Sequence, residues 1–196
     1  MALTLVKEDG TGKADANSYA DVADGDAYHD GHLYASAWTA AISSRKAAAL
    51  VMATRVIDSR FQFNGSRTSS SQALQWPRAE CPDPDKGLVT LSALLPILSN
   101  FVDYDTVPAA VVQATCEMAR ELLLVDRTAA PPGEGIAATQ TSQATHTATD
   151  GSSGMSSTTY SKADTRPIIS SVARAMLGKF GALISSGGGA VRLVRA

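Results

Sequence analysis

Between Thr128 and Tyr160 the chain runs for thirty-three residues with thirteen serines or threonines and two charges, Glu134 and Asp150. A stretch so poor in large apolar side chains cannot offset the entropy of its own ordering, so it builds no core alone. It divides the sequence into residues 1–127, an extended polar arm at 128–160, and residues 161–196. Within the arm, ATQTSQATHTAT suits extended strand, and Asp150-Gly151 suits the turn of a β-hairpin. A flexible linker fits the same composition, and so does an arm ordered only by contact with other subunits.

The flanking segments read as helices. Ser18 can cap a first helix, with Asp21 near its positive end, and Tyr19, Val22, Ala23, Ala27 and Leu33 fall on one face. Gly25 and Gly31 weaken that helix, so it needs neighbours. A second helix runs from Ser43 or Ser44 to Arg60, with Ala47, Leu50, Ala53 or Thr54, and Ile57 at helical spacing and Phe61 closing the stripe. Asn64-Gly65 ends it, and the segment to Arg78 reads as loop, with Trp76 held extended by Pro77. Residues 88–100 suit a short helix ending at Asn100. A third main helix begins near Thr106 with Pro108 in its first turn, and carries Val111 or Val112, Thr115, Met118 or Ala119, Leu122 and Leu123. Glu117 and Arg120 support each other weakly at i, i+3. Beyond the arm, Pro167 opens a last helix with Ile168, Val172, Met176 and Leu177 or Phe180 on its apolar face, followed by a Gly-rich break and a basic tail. The expected fold is mainly α: a small helical bundle, the arm, and a C-terminal helix plus tail.

Composition excludes several classes. No stretch approaches ~20 consecutive apolar residues, so no transmembrane helix is expected, and MALTLVKEDG turns acidic too early for a secretory leader. Cys81 and Cys116 cannot alone build a disulfide framework or a closed zinc site, which makes a reducing cytosol the default. The net charge of −2 hides an asymmetry. Residues 1–30 set two lysines against seven carboxylates, whereas residues 162–196 set six cations, among them Arg174, Lys179, Arg192 and Arg195, against Asp164. Ends of opposite sign suit head-to-tail packing of copies or an anionic partner, and equally suit two solvated faces.

Signatures of catalysis fail one by one. Gly10-Thr11-Gly12-Lys13-Ala14 lacks the first glycine and the hydroxyl of a P-loop, and Gly133-Glu134-Gly135 follows prolines rather than a strand. His29 and His32 share a helix with Asp26 and Asp30, but no further ligand cluster exists, so a surface pair is the better account and no metal is expected. No G-x-S-x-G anchors a hydrolase, Cys116 reads as a small core residue, and Cys81 has no activating base. Neither an enzyme nor a cofactor is expected. Arg55, Arg60, Arg67 and Arg78 surround Phe61, Phe63 and Trp76, a mixture that can hold a single strand by charge and stacking. Phe61 and Trp76 also read as core anchors, and the net charge is negative.

Several motifs together resemble a known family. Ala16-Asn17-Ser18-Tyr19 precedes Asp26-Ala27-Tyr28 and Trp38. Then come Ala48-Ala49-Leu50, Ala53-Thr54-Arg55, Ile57-Asp58 and Arg60-Phe61, and, most specific, Gln72-Ala73-Leu74-Gln75-Trp76-Pro77-Arg78. Val107-Pro108 with its Ala-rich helix, Tyr160 and a helix after Pro167 complete the pattern. It resembles the head-tail connector (adaptor or head-completion) proteins of tailed phages, often labelled putative DnaT-like single-stranded-DNA-binding proteins. The resemblance implies a structural virion protein assembled in the host cytoplasm and placed at the head-tail interface. It implies a dodecameric ring under the portal protein that extends the channel for genomic DNA and offers a surface to tail or nozzle proteins, with no membrane partner. Asn17, Ser18, Tyr19, Gln72, Trp76, Pro77 and Arg78 then carry the structural motif, and Arg174, Lys179, Arg192 and Arg195 are candidate contacts. A replication-type single-strand binder and another capsid or tail completion protein are the alternatives.

Overall fold

The computed structural model describes residues 3–86, 100–129, 136–143, 154–160 and 167–184. Its helices are α1 (Val22–Asp30), α2 (Ser36–Thr39), α3 (Ser43–Arg60), α4 (Ala109–Leu124) and α5 (Ser171–Leu177). Its strands are β1 (Phe61–Phe63), β2 (Ser66–Arg67), β3 (Arg78–Ala79), β4 (Ile136–Gln143), β5 (Gly154–Tyr160) and β6 (Gly181–Leu183). The fold is mainly α, with three small two-stranded antiparallel sheets among the described residues.

The chain before α1 is tied down by Asn17. Its amide donates to the Thr4 carbonyl at 2.8 Å and accepts from the Val6 N–H at 2.9 Å, while Lys7 and Ser18 form a parallel bridge. Ser18 is therefore not the helix cap that its hydroxyl suggested, because that hydroxyl donates to the Ala20 carbonyl. Asp21 takes the role. Its carboxylate accepts from the Asp24 N–H, and the Asp24 carboxylate accepts from the Asp21 N–H, a reciprocal pair that satisfies two otherwise orphaned donors. With the start moved to Val22, the buried face becomes Gly25 and His29; Ala23 and Ala27 are exposed, and Leu33 is 92% exposed. Gly25 is needed there, since a Cβ would lie 2.3 Å from Cζ2 of Trp38.

Helix α3 spans the residues its periodicity predicted and buries Leu50, Ala53, Thr54 and Ile57 against α4. Every residue of α4 from Ala114 to Arg120 is buried, as expected of a helix contacted by neighbours on several sides: α1, α2, α3 and α5 all pack on it. Full burial of Leu50, Ile57, Met118 and Leu177 contributes roughly 1.5–3 kcal/mol each.

The last helix departs from its sequence reading. Ser170, not Pro167, sets the start by accepting from the Ala173 N–H, so α5 begins at Ser171. The buried residues shift by one position to Ile169, Ala173, Leu177 and Phe180, leaving Val172 48% exposed. Strand β6 then pairs with β1 in the register Phe61↔Leu183 to Phe63↔Gly181, and the Ile184 N–H donates to the Arg60 carbonyl. Gly181 allows this approach, since a Cβ would sit 2.3 Å from the Gln62 carbonyl oxygen.

The chain forms two compact units. One joins the residues up to Asp126 with those from Ile169 onward; the other is Arg127–Ile168. In the second unit β4 and β5 form an antiparallel ladder from Ile136↔Tyr160 to Gln143↔Gly154, with an irregularity between Ile136 and Ala138. Strand β4 covers the first part of the alternating stretch, residues 144–149 of that stretch lie outside the described residues, and β5 follows it. At the base of the unit, Arg127 donates from Nε to the Ile168 carbonyl at 2.9 Å and from Nη2 to that of Pro167 at 2.7 Å. The expected turn at Asp150-Gly151, most of the short helix expected at 88–100, and Arg192 and Arg195 lie outside the described residues.

Candidate functional site

The most specific sequence motif folds into a clasp. The Tyr19 hydroxyl donates to Asp58 at 2.5 Å and accepts from the N–H groups of Gln75 (3.0 Å) and Trp76 (3.3 Å). The other Asp58 oxygen accepts from the Gln75 N–H at 3.1 Å. Gln72 uses its carbonyl on Thr68 and Ser69 and its NH2 on the carbonyls of Leu74 and Pro77. Arg78 spends its guanidinium on the backbone carbonyls of Asn64, Gly65, Phe63 and Gln75. Trp76, in a cis peptide bond to Pro77, is fully buried, with its ring edge-on to Phe63 and Phe180. Asn17, Ser18, Tyr19, Gln72, Trp76, Pro77 and Arg78 therefore hold the N-terminal segment, α3 and the 64–78 loop together. Burial pushes the Asp58 carboxyl up to about 6 and raises the Tyr19 phenol further above its usual range.

The glycine-rich segment near the start is occupied by the chain itself. The buried Glu8 carboxylate accepts from the N–H groups of Gly10 and Gly12, each at 2.9 Å, and of Lys13 at 2.8 Å. Gly10 and Gly12 have φ of 101° and 73°, which turns successive donors inward. The cradle that a phosphate would need is filled by a carboxylate, in agreement with the failed P-loop pattern. Glu8 escaped the sequence reading; its position two residues before alternating glycines was the available signal.

The histidine pair is not a surface pair. His29 is buried, and its Nε2 faces the Cys116 backbone carbonyl at 3.2 Å rather than the thiol. Burial holds its imidazole below the usual value and pushes the Cys116 thiol up to about 12, favouring the neutral form of each. His32 Nε2 lies 3.6 Å from Glu117, which is itself buried and held by Arg120 at 2.6 Å. The Glu117–Arg120 pair, expected only to support each other weakly, is a buried bridge on the central helix. Among the described residues no three His, Cys, Asp or Glu side chains are grouped to hold a metal ion.

Tyr34 and Tyr104 face outward, 76% and 69% exposed, outside the basic-aromatic mixture that the sequence singles out. Phe61, Phe63 and Trp76 are in the core, so the basic-aromatic mixture offers no ring on which a base could stack. Arg67 donates to the Gln72 carbonyl, while Arg55 and Arg60 are exposed along α3. Arg174 and Lys179 are exposed, the latter 4.0 Å from Asp85. An open groove of about 540 Å³ runs along α3, lined by Leu3, Val51, Met52, Arg55 and Val56 among others. In the acidic segment Lys7 pairs with Asp21 and Asp24, Lys13 with Asp9, and Lys46 with Asp26, leaving less free charge than the composition suggests.

A family model described as "Putative DnaT-like ssDNA binding protein" matches residues 3–196. No curated protein and no solved structure matches the chain.

Proposed function

We propose that this chain, which belongs to the DnaT-like ssDNA-binding-protein family just described, is a structural virion protein: a head-to-tail adaptor that forms a ring under the portal. In this reading the ring extends the channel for genomic DNA and provides the surface on which tail or nozzle proteins assemble. The helical core, a small bundle of residues 1–127 completed by 169–184, makes the ring wall, and the hairpin arm reaches other subunits. The observation that carries the reading is the fate of the motif residues. All seven serve internal cohesion, and Phe61, Phe63 and Trp76, the rings among the basic residues, are buried, while the chain keeps a separate unit whose sequence is poor in large apolar side chains. A protein whose distinctive residues build a scaffold, and whose spare segment is too poor in apolar side chains to build a core, is suited to assembly. The test is localisation: reconstruction of particles from a phage encoding this chain should place it between portal and tail. Its presence on the capsid lattice, or its absence from particles, would overturn the adaptor reading.

A single-strand-binding role is the second reading, favoured by the family's description and by exposed Arg55 and Arg60 on one helix. It requires retention of oligonucleotides with a steep salt dependence and a marked loss of affinity in an R55A/R60A double variant. A capsid or tail completion protein elsewhere on the particle would share the assembly logic and differ in location.

A further inference from the structure

The hairpin of β4 and β5 is, among the described residues, a two-stranded ladder to which no further strand is added. Two-stranded hairpins are marginal in water unless a face packs on something or a further strand is added. Here the ladder pairs Ala138 with Thr159, Thr139 with Thr158, Gln140 with Ser157, Thr141 with Ser156 and Ser142 with Met155, so neither alternate set of positions is an apolar stripe. Burial of a face is therefore a poor source of free energy for this unit. The remaining resource is the backbone. Among the described residues each strand has one partner, so the outer side of β4 and the outer side of β5 present unpaired N–H and C=O groups.

Proteins guard such edges with lysine, proline, inward charges or very short strands. This hairpin has none of these devices: IAATQTSQ and GMSSTTY contain no charge and no proline, and the strands are eight and seven residues long. The two edges match in length and are complementary by construction, because β4 and β5 run in opposite directions. Around a rotation axis, the β5 edge of one copy meets the β4 edge of the next in antiparallel pairing. That contact is heterologous and closes when the rotation closes.

We propose that the hairpin is the joining element between copies of this chain, adding its β4 edge to the β5 edge of the neighbouring copy to close an up-and-down β-barrel. The inference rests on the ring of the adaptor reading and specifies how its subunits are joined. For the twelve copies that the resemblance implies, twenty-four strands at ~4.8 Å spacing give a circle about 37 Å across before strand tilt widens it, broader than a DNA duplex. Neither strand carries a cation, so a barrel of these segments offers DNA phosphates no ion pair, as passage without retention requires.

The experiment uses the full chain. Amide hydrogen exchange is followed at residues 136–143 and 154–160 over a hundredfold range of protein concentration, alongside sedimentation velocity. In a lone hairpin alternate amides face solvent and exchange freely; edge pairing should slow those same amides at least tenfold as the chain assembles. The variants T139P and Q140P complete the test. Successive N–H groups point to opposite sides of a strand, so one variant removes an outward donor and the other an inward one, and both should abolish the assembled species. A48S, at an exposed position of α3, serves as a control that should assemble normally. Assembly with unchanged exchange in the hairpin, or undiminished assembly of both proline variants, would overturn the joining role while leaving the adaptor reading intact. A chain that stays monomeric with freely exchanging hairpin amides at every concentration would overturn it as well. Localisation away from the head-tail junction would instead defeat the adaptor reading.

Discussion

Truncating Leu177 to alanine tests whether the C-terminal helix belongs to the core of its own chain. Leu177 is fully buried on α5, beside Ala173 and Phe180, and α5 packs on α4. Removing its isobutyl group loses the transfer free energy of the deleted carbons and leaves a cavity in a helix–helix contact, a change that costs about 2–5 kcal/mol. Helix α4, against which α5 packs, is itself buried from Ala114 to Arg120, so partial collapse is hindered and about 3 kcal/mol is expected. Val172, one of the residues that the sequence periodicity placed on the apolar face, is 48% exposed, and V172A should cost less than about 1 kcal/mol. Urea unfolding of the full chain, followed by tryptophan fluorescence, measures both costs. Packing of α5 through Leu177 gives a large gap between the variants. Equal costs for L177A and V172A would refute the placement of α5.

Three further outcomes are expected. The Asp58 carboxyl titrates near 6 when folded and near 3.8 when unfolded, so the folded chain binds the proton more tightly. Its contribution is fully present below pH ~4 and disappears as pH rises through ~6, a loss on the order of 2 kcal/mol that should be absent from D58N in unfolding curves at pH 4 and 7. E8Q keeps one acceptor but turns an NH2 group toward a backbone donor in the 8–13 loop, and should lower unfolding free energy by about 1–3 kcal/mol, with E8A at least as damaging. G25A forces a methyl group into the Trp38 ring and should destabilise by about 1–3 kcal/mol with a changed Trp38 emission spectrum, whereas G31A, whose Cβ meets nothing within 4 Å, should be nearly neutral.

Helix α3 was legible because eighteen residues repeat a strong apolar period and a turn follows, so local preference and tertiary packing agree. Helices α1 and α5 were legible in kind and misplaced in phase. In both, a short polar side chain decided the start: Ser18 was already committed to the Ala20 carbonyl, leaving Asp21 to cap, and Ser170 displaced Pro167. Periodicity cannot choose among adjacent capping candidates when the helix has only nine or seven residues. The clasp was visible as a motif but not as chemistry. Tyr19, Asp58 and Gln75 are separated by tens of residues, and nothing local says that a phenol, a carboxyl and two amides converge. Likewise the burial of His29 and Glu117 follows from the crowding of four elements around α4, a property of the assembled core that no window of sequence contains.

The pairing of β1 with β6 has a consequence for how the protein is made. Phe61 must wait for Leu183, more than a hundred residues later, before its strand has a partner, and the whole polar arm is synthesised in between. A nascent chain interrupted anywhere in the arm therefore carries Trp76 and Phe63 without the Phe180 that covers them. Such fragments expose aromatic surface that chaperones and proteases recognise, whereas a chain that has reached Ile184 conceals it. Closure of the core therefore waits for residues 180–184, so the chains that conceal these rings already bear their arm.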